Sequence, residues 1–507
     1  MKTPQNKISL TAFCALLSGF TLLAFHIPFF RVVFNNSDWS LNGLLIKGGL
    51  AVIMFALNYL IYYLLLYAGR IVGKIILAIS FICNSIAFYF ITTYEVLITD
   101  KMMGNVFNTQ YSEASSFMSF QTVLYLLFWG ILPCAYIFWR KVNYGSFKRA
   151  GVNIGIALLT VVAVVLANFS NFTWIDKNAT QIGSLLMPWS YTINSIRYHN
   201  SVKKVNEKEI LLPDAKIATT SKDVCVLVIG ESARKDHFSL YGYERETNPL
   251  LASDDVVAIE AKSAATYTTA GVKAILDHKA SSKLYEILPN YLYRNGVEVI
   301  WRTANWGEPP VHIERYYKAG EDLKERYPNA DSQYDEILLE GLKEEILACE
   351  KDKLFIVLHT STSHGPTYYK KYPKEFELFA PVCTTVEMSK ANPEELINAY
   401  DNTILYTDYL LHSLIGILKS IPERRASMLF VSDHGESLGE NNLYMHGVPM
   451  SMAPKEQVEI PFIVWSSDPT LKVRSIAEAE QYYVFHSVLD FLGIESPIYN
   501  KEMTIFE

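Results

Sequence analysis

The sequence is poor in cysteine and has no cluster of positive charge in its last two thirds. Six cysteines in 507 residues are too few for a small disulfide-stabilised scaffold, so stability must come from a packed core. Residues 171–507 contain 34 lysines and arginines against 48 acidic residues, which excludes nucleic acid as a partner because phosphate contacts need clustered cations. Half of the residues are hydrophobic and the mean hydropathy is +0.13, which argues against a disordered scaffold and a purely soluble enzyme.

Long apolar runs are confined to the first third of the chain. Five of them reach the roughly 20 residues that a helix needs to cross a bilayer, at 8–30, 43–67, 71–93, 120–139 and 151–170. The first run has no small-residue cleavage site, so it is predicted to remain as an anchor. A transporter is disfavoured, because the runs contain little internal charge and show no repeat.

The short loops between these runs differ in charge. Lysines and arginines are concentrated in alternate loops and at the N-terminus, at Lys2, Lys7, Arg70, Arg140, Lys141, Lys148 and Arg149. The positive-inside rule therefore places the N-terminus in the cytoplasm. Five spans then leave the C-terminal part outside, which in a bacterium is the periplasm.

A connector, residues 171–222, follows the last run. Trp174 and Trp189 favour a membrane surface, so the segment predicts either an amphipathic helix lying on the outer surface or a linker. The predicted domains are a five-span membrane domain at 1–170, this connector, and a periplasmic domain at 223–507.

The last domain alternates short apolar runs with helical patterns. Runs rich in valine and isoleucine occur at 224–230, 297–301, 354–360, 427–432 and 459–465, and such runs predict strands buried on both faces of a parallel sheet. Residues 331–351 and 392–421 have apolar side chains at helical spacing. The pattern predicts a doubly wound α/β fold with a mainly parallel sheet.

Potential metal ligands follow several of these strands, namely Glu231, His364, Asp433, His434 and His446. Ligands in such sheets bind beyond the carboxyl ends of the strands, so we expect these side chains to meet at one edge. A helix cap or a hydrogen-bonded loop would explain each residue alone, but their joint occurrence favours a site. Two carboxylates with one histidine suit zinc or manganese and leave a coordination position open.

A nucleophile is expected between the first two of these strands. Thr266, Thr268 and Thr269 precede a short helical stretch there, where a threonine is also common as an N-cap. The two interpretations are compatible, since a helix N-terminus offers N–H groups and a positive dipole end that hold a phosphoryl group. Metal coordination would lower the pKa of the hydroxyl and activate it.

Five segments carry a family resemblance: 226–249, the stretch around Thr268, 359–373, 398–411 and 431–447. They resemble the bacterial phosphoethanolamine transferases that modify lipid A, members of the alkaline phosphatase superfamily that include the colistin-resistance transferases. The resemblance implies a five-helix transmembrane domain in the inner membrane and a periplasmic catalytic domain of alkaline phosphatase or sulfatase type. It also implies transfer of phosphoethanolamine from phosphatidylethanolamine to lipid A, with resistance to polymyxin.

The same resemblance assigns roles to single residues. Glu231, Asp433 and His434 match zinc ligands, and Thr268 matches the threonine that binds zinc and receives the phosphoethanolamine. His364 and His446 match histidines that contact the transferred group or a second metal. Asn105, Thr109 and Glu113 match residues that hold the ethanolamine head of the donor. Asn305 matches one more polar contact.

The sequence departs from the family pattern at two places. Cysteines that bracket the nucleophile segment are replaced by Ala264 and Ala274, so no disulfide is expected in this domain. A lysine that usually follows the Asn305 motif is missing, and His312 or Arg315 is the expected substitute.

Other functions remain open from the sequence. A phosphoglycerol transferase of the same superfamily is disfavoured by Glu113, whose anion suits an ethanolamine ammonium. A core sugar or a periplasmic protein is an alternative acceptor, and a noncatalytic membrane sensor would be expected to have lost the ligands. A sulfatase of the usual kind is disfavoured, because no Cys/Ser-x-Pro-x-Arg segment stands in the nucleophile stretch around Thr268. The expected cofactor is one zinc ion, with a second during turnover as the alternative, and the expected state is a monomer.

Overall fold

The computed structural model describes residues 7–109, 117–205, 209–386 and 388–507. The chain divides into two compact units, Met1–Asn200 and Ser201–Glu507. The first unit is helical, and the second is built around one large sheet. The sequence-based domain limits at residues 170 and 222 remain predictions.

Helices make up most of the first unit. Its helices are α1 Leu10–Phe25, α2 Ile27–Asn36, α3 Leu41–Gly69, α4 Ile71–Tyr94, α5 Asp100–Asn108, α6 Phe120–Trp139, α7 Phe147–Ala167, α8 Phe172–Ser184 and α9 Trp189–Val205. Helix α6 contains one π-helical turn, Leu126–Ile131. By length and composition, α3, α4, α6 and α7 can each cross a membrane, and the pair α1–α2 makes a fifth span if it is counted as one.

The first predicted span is bent rather than straight. Helices α1 and α2 meet at 64° around His26, and Pro28 lies in the first turn of α2, where its missing N–H costs no helical hydrogen bond. His26 is buried, and its Nε2 accepts the Met187 N–H at 3.2 Å while Nδ1 donates to the Thr21 carbonyl at 3.1 Å. The apolar run is therefore interrupted at His26, a polar residue whose two ring nitrogens are both hydrogen-bonded.

The connector is helical over most of its first half. Helix α8 ends at Ser184, and α9 begins at Trp189, directly after Pro188. Both tryptophans form hydrogen bonds with residues of the first unit. Trp174 Nε1 donates to the Asn36 carbonyl at 2.7 Å, and Trp189 Nε1 donates to Asn58 Oδ1 at 2.9 Å. These bonds tie α8 and α9 to the helical unit, and the interfacial role of the segment remains a prediction.

The sheet of the second unit has eight strands in the described residues. They are β1 Asp223–Gly230, β2 Val257–Lys262, β3 Glu298–Thr303, β4 Arg315–Lys318, β5 Lys353–His359, β6 Arg425–Ser432, β7 Glu459–Ser466 and β8 Ala479–Glu480. Their order is β8-β2-β7-β6-β1-β5-β3-β4, and every pairing except those of β7 is parallel. The main helices are α10 Thr268–Leu276, α11 Leu288–Arg294, α12 Leu342–Leu347, α13 Pro393–Lys419 and α14 Tyr483–Phe491.

All five predicted strands are present, but one runs the other way. β7 is antiparallel to both of its neighbours, because an apolar run has the same pattern in either direction. Pro461 is tolerated within it because pairing with β6 begins one residue later, at Phe462. The predicted helix over 331–351 is also shorter than expected, since Gly341, with φ of 62°, ends a 3₁₀ turn before α12 begins.

Candidate active site

Glu231 and Asp433 leave the sheet side by side. β1 and β6 are neighbouring parallel strands in which Gly230 pairs with Ser432, so the residues that follow them emerge at the same edge. Ser232 turns with φ of 51°, which brings its N–H to Asp433 Oδ1 at 3.0 Å. The same oxygen accepts the His434 N–H at 2.7 Å. The structure thus brings Glu231, Asp433 and His434 together at the carboxyl edge of the sheet, as predicted.

Thr268 is the first residue of α10 and is buried. Its Oγ1 lies 3.5 Å from Glu231 Oε2 and 3.4 Å from His434 Nε2. Thr266, by contrast, donates its hydroxyl to the Val448 carbonyl at 2.6 Å. The N-terminus of α10 therefore presents the Thr268 hydroxyl, rather than that of Thr266, to the acid and the imidazole.

Helix α10 comes this close because of Gly271. A Cβ at this position would lie 2.2 Å from the carbonyl oxygen of Asp433. The helix backbone therefore packs directly on the loop that carries Asp433 and His434, one turn after Thr268. A side chain of any size at this position would push the Thr268 helix away from the predicted ligands.

Several donor atoms at this edge converge on one point. Glu231, His434 and His446 each offer an atom within 4.8 Å of the others, and Asp433 Oδ2 lies 3.4 Å from His434 Nε2. That carboxylate oxygen is buried and lacks a hydrogen-bond partner among the described residues, a costly arrangement unless a cation faces it. Carboxylate and imidazole donors suit a divalent cation, so the residues present fit a metal site.

The acidic groups of the site have shifted pKa values. Burial, followed by the charge of Glu231, raises the pKa of Asp433 well above its ordinary range. Burial opposes the charge on Glu231 too, but His364, His434 and His446 outweigh it and hold the Glu231 pKa below its ordinary value. A bound cation would favour the charged form of both carboxylates, because its charge offsets the burial and the mutual repulsion that oppose ionisation.

His446 is oriented by an acid behind it. Its Nδ1 lies 2.8 Å from Glu436 Oε2, and the Tyr368 hydroxyl donates to Glu436 Oε1 at 2.5 Å. Burial raises the pKa of Glu436 to about 7, and burial with the nearby His434 charge lowers the pKa of His446 to about 3. Bonding at Nδ1 leaves Nε2 as the nitrogen available to the site.

Two further predicted residues lie at the same edge. The buried His364 has its ring centroid 6.1 Å from that of His446. Asn305 follows β3, and its Nδ2 donates to Glu231 Oε2 at 2.7 Å and to the Thr360 carbonyl at 3.0 Å. Asn305 thus fixes one oxygen of Glu231 in this structure.

The predicted donor-binding residues belong to the first unit. Asn105 lies in α5, and Thr109 follows its end with its hydroxyl donating to the Asn105 carbonyl at 2.8 Å. The buried Asn105 Oδ1 has no hydrogen-bond partner among the residues that the structure describes. Glu113 lies outside the described residues.

The two expected substitutes for the missing lysine have other surroundings. His312 has 60% of its side chain exposed and lies 3.5 Å from Glu209. Arg315 is the first residue of β4 and forms ion pairs with Glu298 and Glu345. It therefore stands at the amino end of its strand, whereas the site lies at the carboxyl edge.

Sequence reasoning missed several residues that support this edge. Asp335 is buried and accepts the Ser361 N–H at 2.8 Å, which holds the loop leading to His364. His359 ends β5 with no exposure and lies 3.6 Å from Glu308. Gln481 is bonded to the Asp433 carbonyl. Only His359 had a local signal, a histidine at the end of an apolar run.

The fold agrees with comparisons to known proteins. A family model described as Sulfatase matches residues 223–494, and one described as Phosphoethanolamine transferase EptA/EptB matches residues 53–202. Phosphoethanolamine transferase EptA of Helicobacter pylori is 37% identical over 490 residues, which cover 93% of this chain and 91% of that protein. Phosphatidylethanolamine transferase Mcr-1 of Escherichia coli is 32% identical over 457 residues, 83% of each chain.

A solved structure matches nearly the whole chain. It is the integral membrane protein lipooligosaccharide phosphoethanolamine transferase A (EptA) from Neisseria meningitidis, with a TM-score of 0.88, 25% identity and coverage of 99% of both chains. A mainly parallel sheet with acids, histidines and a threonine at its carboxyl edge, joined to apolar helices, defines a membrane enzyme of the alkaline phosphatase superfamily. Within that class, the chain belongs to the phosphoethanolamine transferase family.

Proposed function

We propose that this enzyme moves phosphoethanolamine from phosphatidylethanolamine to a phosphate of lipid A through a covalent intermediate on Thr268. The observation that carries the proposal is the position of the Thr268 hydroxyl at the start of α10, within 3.5 Å of Glu231 and 3.4 Å of His434. The relatives' names support the chemistry: one is a phosphatidylethanolamine transferase and another acts on lipooligosaccharide.

The first half of the reaction forms the intermediate. Thr268 Oγ attacks the phosphorus of the donor, the bond from phosphorus to the diacylglycerol oxygen breaks, and the proton lost by Thr268 ends on the released diacylglycerol. The N-terminus of α10 supplies N–H groups and a positive dipole end beside the phosphoryl oxygens. His364 and His446 are placed to steady or protonate those oxygens.

We assign one zinc ion to Glu231, Thr268, Asp433 and His434. When bound, zinc lowers the pKa of a coordinated hydroxyl and offsets negative charge that develops on a phosphoryl group. Asp433 Oδ2, which has no hydrogen-bond partner in the part of the chain that the structure describes, supports this assignment. A second ion near His364 and His446 during turnover is the alternative.

The second half of the reaction regenerates the enzyme. A phosphate oxygen of lipid A attacks the phosphothreonine, the bond from phosphorus to Thr268 Oγ breaks, and the hydroxyl regains a proton. His446, oriented by Glu436 at 2.8 Å, is placed to handle that proton through Nε2. Each cycle transfers one group and leaves the chain unchanged.

Placement in the inner membrane suits two lipid substrates. We propose that the N-terminus is cytoplasmic and the catalytic unit periplasmic, on the evidence of the loop cations. Asn105, Thr109 and Glu113 are proposed to hold the ethanolamine head of the donor. The buried Oδ1 of Asn105 has no hydrogen-bond partner among the described residues, which supports a polar ligand there, and the Glu113 carboxylate would pair with the ammonium.

Intact-mass analysis of the full chain in detergent tests the intermediate. After incubation with phosphatidylethanolamine and no acceptor, wild-type protein and Thr266→Ala should gain one phosphoethanolamine, and the adduct should map to Thr268. Thr268→Ala should gain none. An adduct that persists in Thr268→Ala would place the nucleophile elsewhere, and loss of a wild-type adduct only on adding lipid A would identify the acceptor.

A further inference from the structure

Gln481 is a buried residue that joins two parts of the site. It lies between β8 and α14, and no part of it is exposed. Its Oε1 accepts the Ala264 N–H at 2.9 Å, and its Nε2 donates to the carbonyls of Ser432 at 2.9 Å and Asp433 at 2.7 Å. One side-chain amide thus connects the segment that leads to Thr268 with the loop that carries Asp433.

Only an amide can make all three bonds. The Ser432 and Asp433 carbonyls can only accept a hydrogen bond, and the Ala264 N–H can only donate one. Glutamine offers two donors and an acceptor, whereas glutamate offers no donor when ionised and would bring an oxygen against two carbonyl oxygens. Methionine has nearly the same length and would leave all three backbone groups without this partner.

The Asp433 carbonyl is confined on a second side by α10. Gly271 approaches it so closely that a Cβ would lie 2.2 Å away. The clamp from Gln481 and the packing of α10 therefore act on the same peptide group. Together they fix how far the Asp433 loop lies from the helix that begins at Thr268.

We infer that Gln481 is a positioning residue that sets the spacing between the Thr268 segment and the Asp433–His434 loop. In the described part of the chain, its side chain forms hydrogen bonds to backbone groups and none to the proposed ligand atoms or the Thr268 hydroxyl, so it acts through the two backbone segments. The inference rests on the proposed function for the roles of Thr268 and zinc. Loss of the clamp should let the loop and the helix drift, which weakens metal binding and slows attack by the hydroxyl.

A matched control comes from another buried amide. Asn402 is fully buried in α13, accepts the Phe379 N–H at 2.9 Å and donates to the Phe379 carbonyl at 2.9 Å. The segment that it holds carries none of the proposed site residues. Asn402→Leu therefore reports the cost of losing a buried amide that is not attached to the site.

The experiment uses the full chain in detergent after metal removal. Zinc affinity is measured by competition with a chelator, and thermal unfolding is followed on the same metal-free samples. Gln481→Glu and Gln481→Met should bind zinc about 10- to 100-fold more weakly, as is typical for residues that orient metal ligands. Asn402→Leu should lose thermal stability and keep the wild-type zinc affinity.

Wild-type zinc affinity in both Gln481 variants would overturn the inference, as would an equal loss in Asn402→Leu. If Gln481→Glu fails to fold, the uncharged Gln481→Met variant decides the result. The proposed function fails separately, since it predicts a Thr268 adduct in wild-type protein, whereas the zinc titration needs no substrate. Gln481→Met should also form that adduct more slowly at saturating zinc.

Discussion

Replacing Gly271 by alanine tests how closely α10 must approach the Asp433 loop. The new methyl carbon would lie 2.2 Å from the carbonyl oxygen and 2.8 Å from the carbonyl carbon of Asp433, and Cβ contacts under 3.0 Å are essentially never found. Both partners are backbone, so neither can rotate away as a flexible side chain would. Either the helix or the loop must move.

The displacement acts directly on the reacting groups. Relieving the contact requires a shift of roughly 1 Å, and a misplacement of about 1 Å in an active site can cost about 100-fold in rate. That factor corresponds to about 2.7 kcal/mol in activation free energy. Thr268 already lies 3.4 and 3.5 Å from its two neighbours, so little further separation is tolerable. The tight contact should also lower the free energy of unfolding by about 1–3 kcal/mol.

Gly416 provides the matched substitution. It lies in α13, and a Cβ there would meet nothing within 4 Å, so Gly416→Ala should gain up to about 1 kcal/mol of stability from helix propensity. The assay compares kcat for transfer at saturating donor, zinc content and thermal unfolding in both variants. Wild-type kcat and zinc content in Gly271→Ala would refute the argument that this glycine sets the distance.

Three other outcomes are expected. Asp335→Ala frees the loop that leads to His364, so kcat should fall about 10-fold while the zinc content stays at the wild-type level. A zinc content that falls as much as kcat would instead assign Asp335 to the metal site. A reporter after Glu507 should report the periplasm and one near Tyr144 the cytoplasm, and reversed signals would contradict the loop-charge argument. Deleting the gene should remove phosphoethanolamine from lipid A and raise polymyxin sensitivity, because each transfer adds an ammonium that offsets surface anionic charge; unchanged lipid A would disprove the acceptor.

The meeting of Glu231, Asp433 and His434 at one edge of the sheet was predictable because these residues directly follow strands in the sequence. Glu231 and the pair Asp433–His434 directly follow apolar runs, and parallel strands deliver such residues to one edge. Gln481 was not predictable, because its partners lie at Ala264 and at the end of β6, and only tertiary packing brings them together. Its own surroundings are a two-residue edge strand without an apolar run.

Other differences arise where a residue pattern permits two geometries. The run at 459–465 predicted a strand but not its direction, which depends on pairing with β2 and β6. The run at 8–30 predicted a long apolar helix, while the bend at His26 depends on a bond from the distant Met187. The spacing of apolar residues predicts which side chains are buried, but it does not predict which distant residues they pair with.

The bond from Ser232 to Asp433 joins residues 201 positions apart, and this separation has a consequence for biosynthesis. The strand before Glu231 emerges from the ribosome long before its parallel neighbour β6, and Gln481, which joins the Asp433 loop to the segment that leads to Thr268, comes later still. Loop closure over such lengths is slow relative to local helix formation. The helical unit therefore has time to fold first, and the carboxyl edge of the sheet gains the bonds of Gln481 only after that residue has been synthesised. A nascent chain that carries the apolar helices but ends before β8 should therefore lack the hydrogen bonds that hold this edge of the sheet.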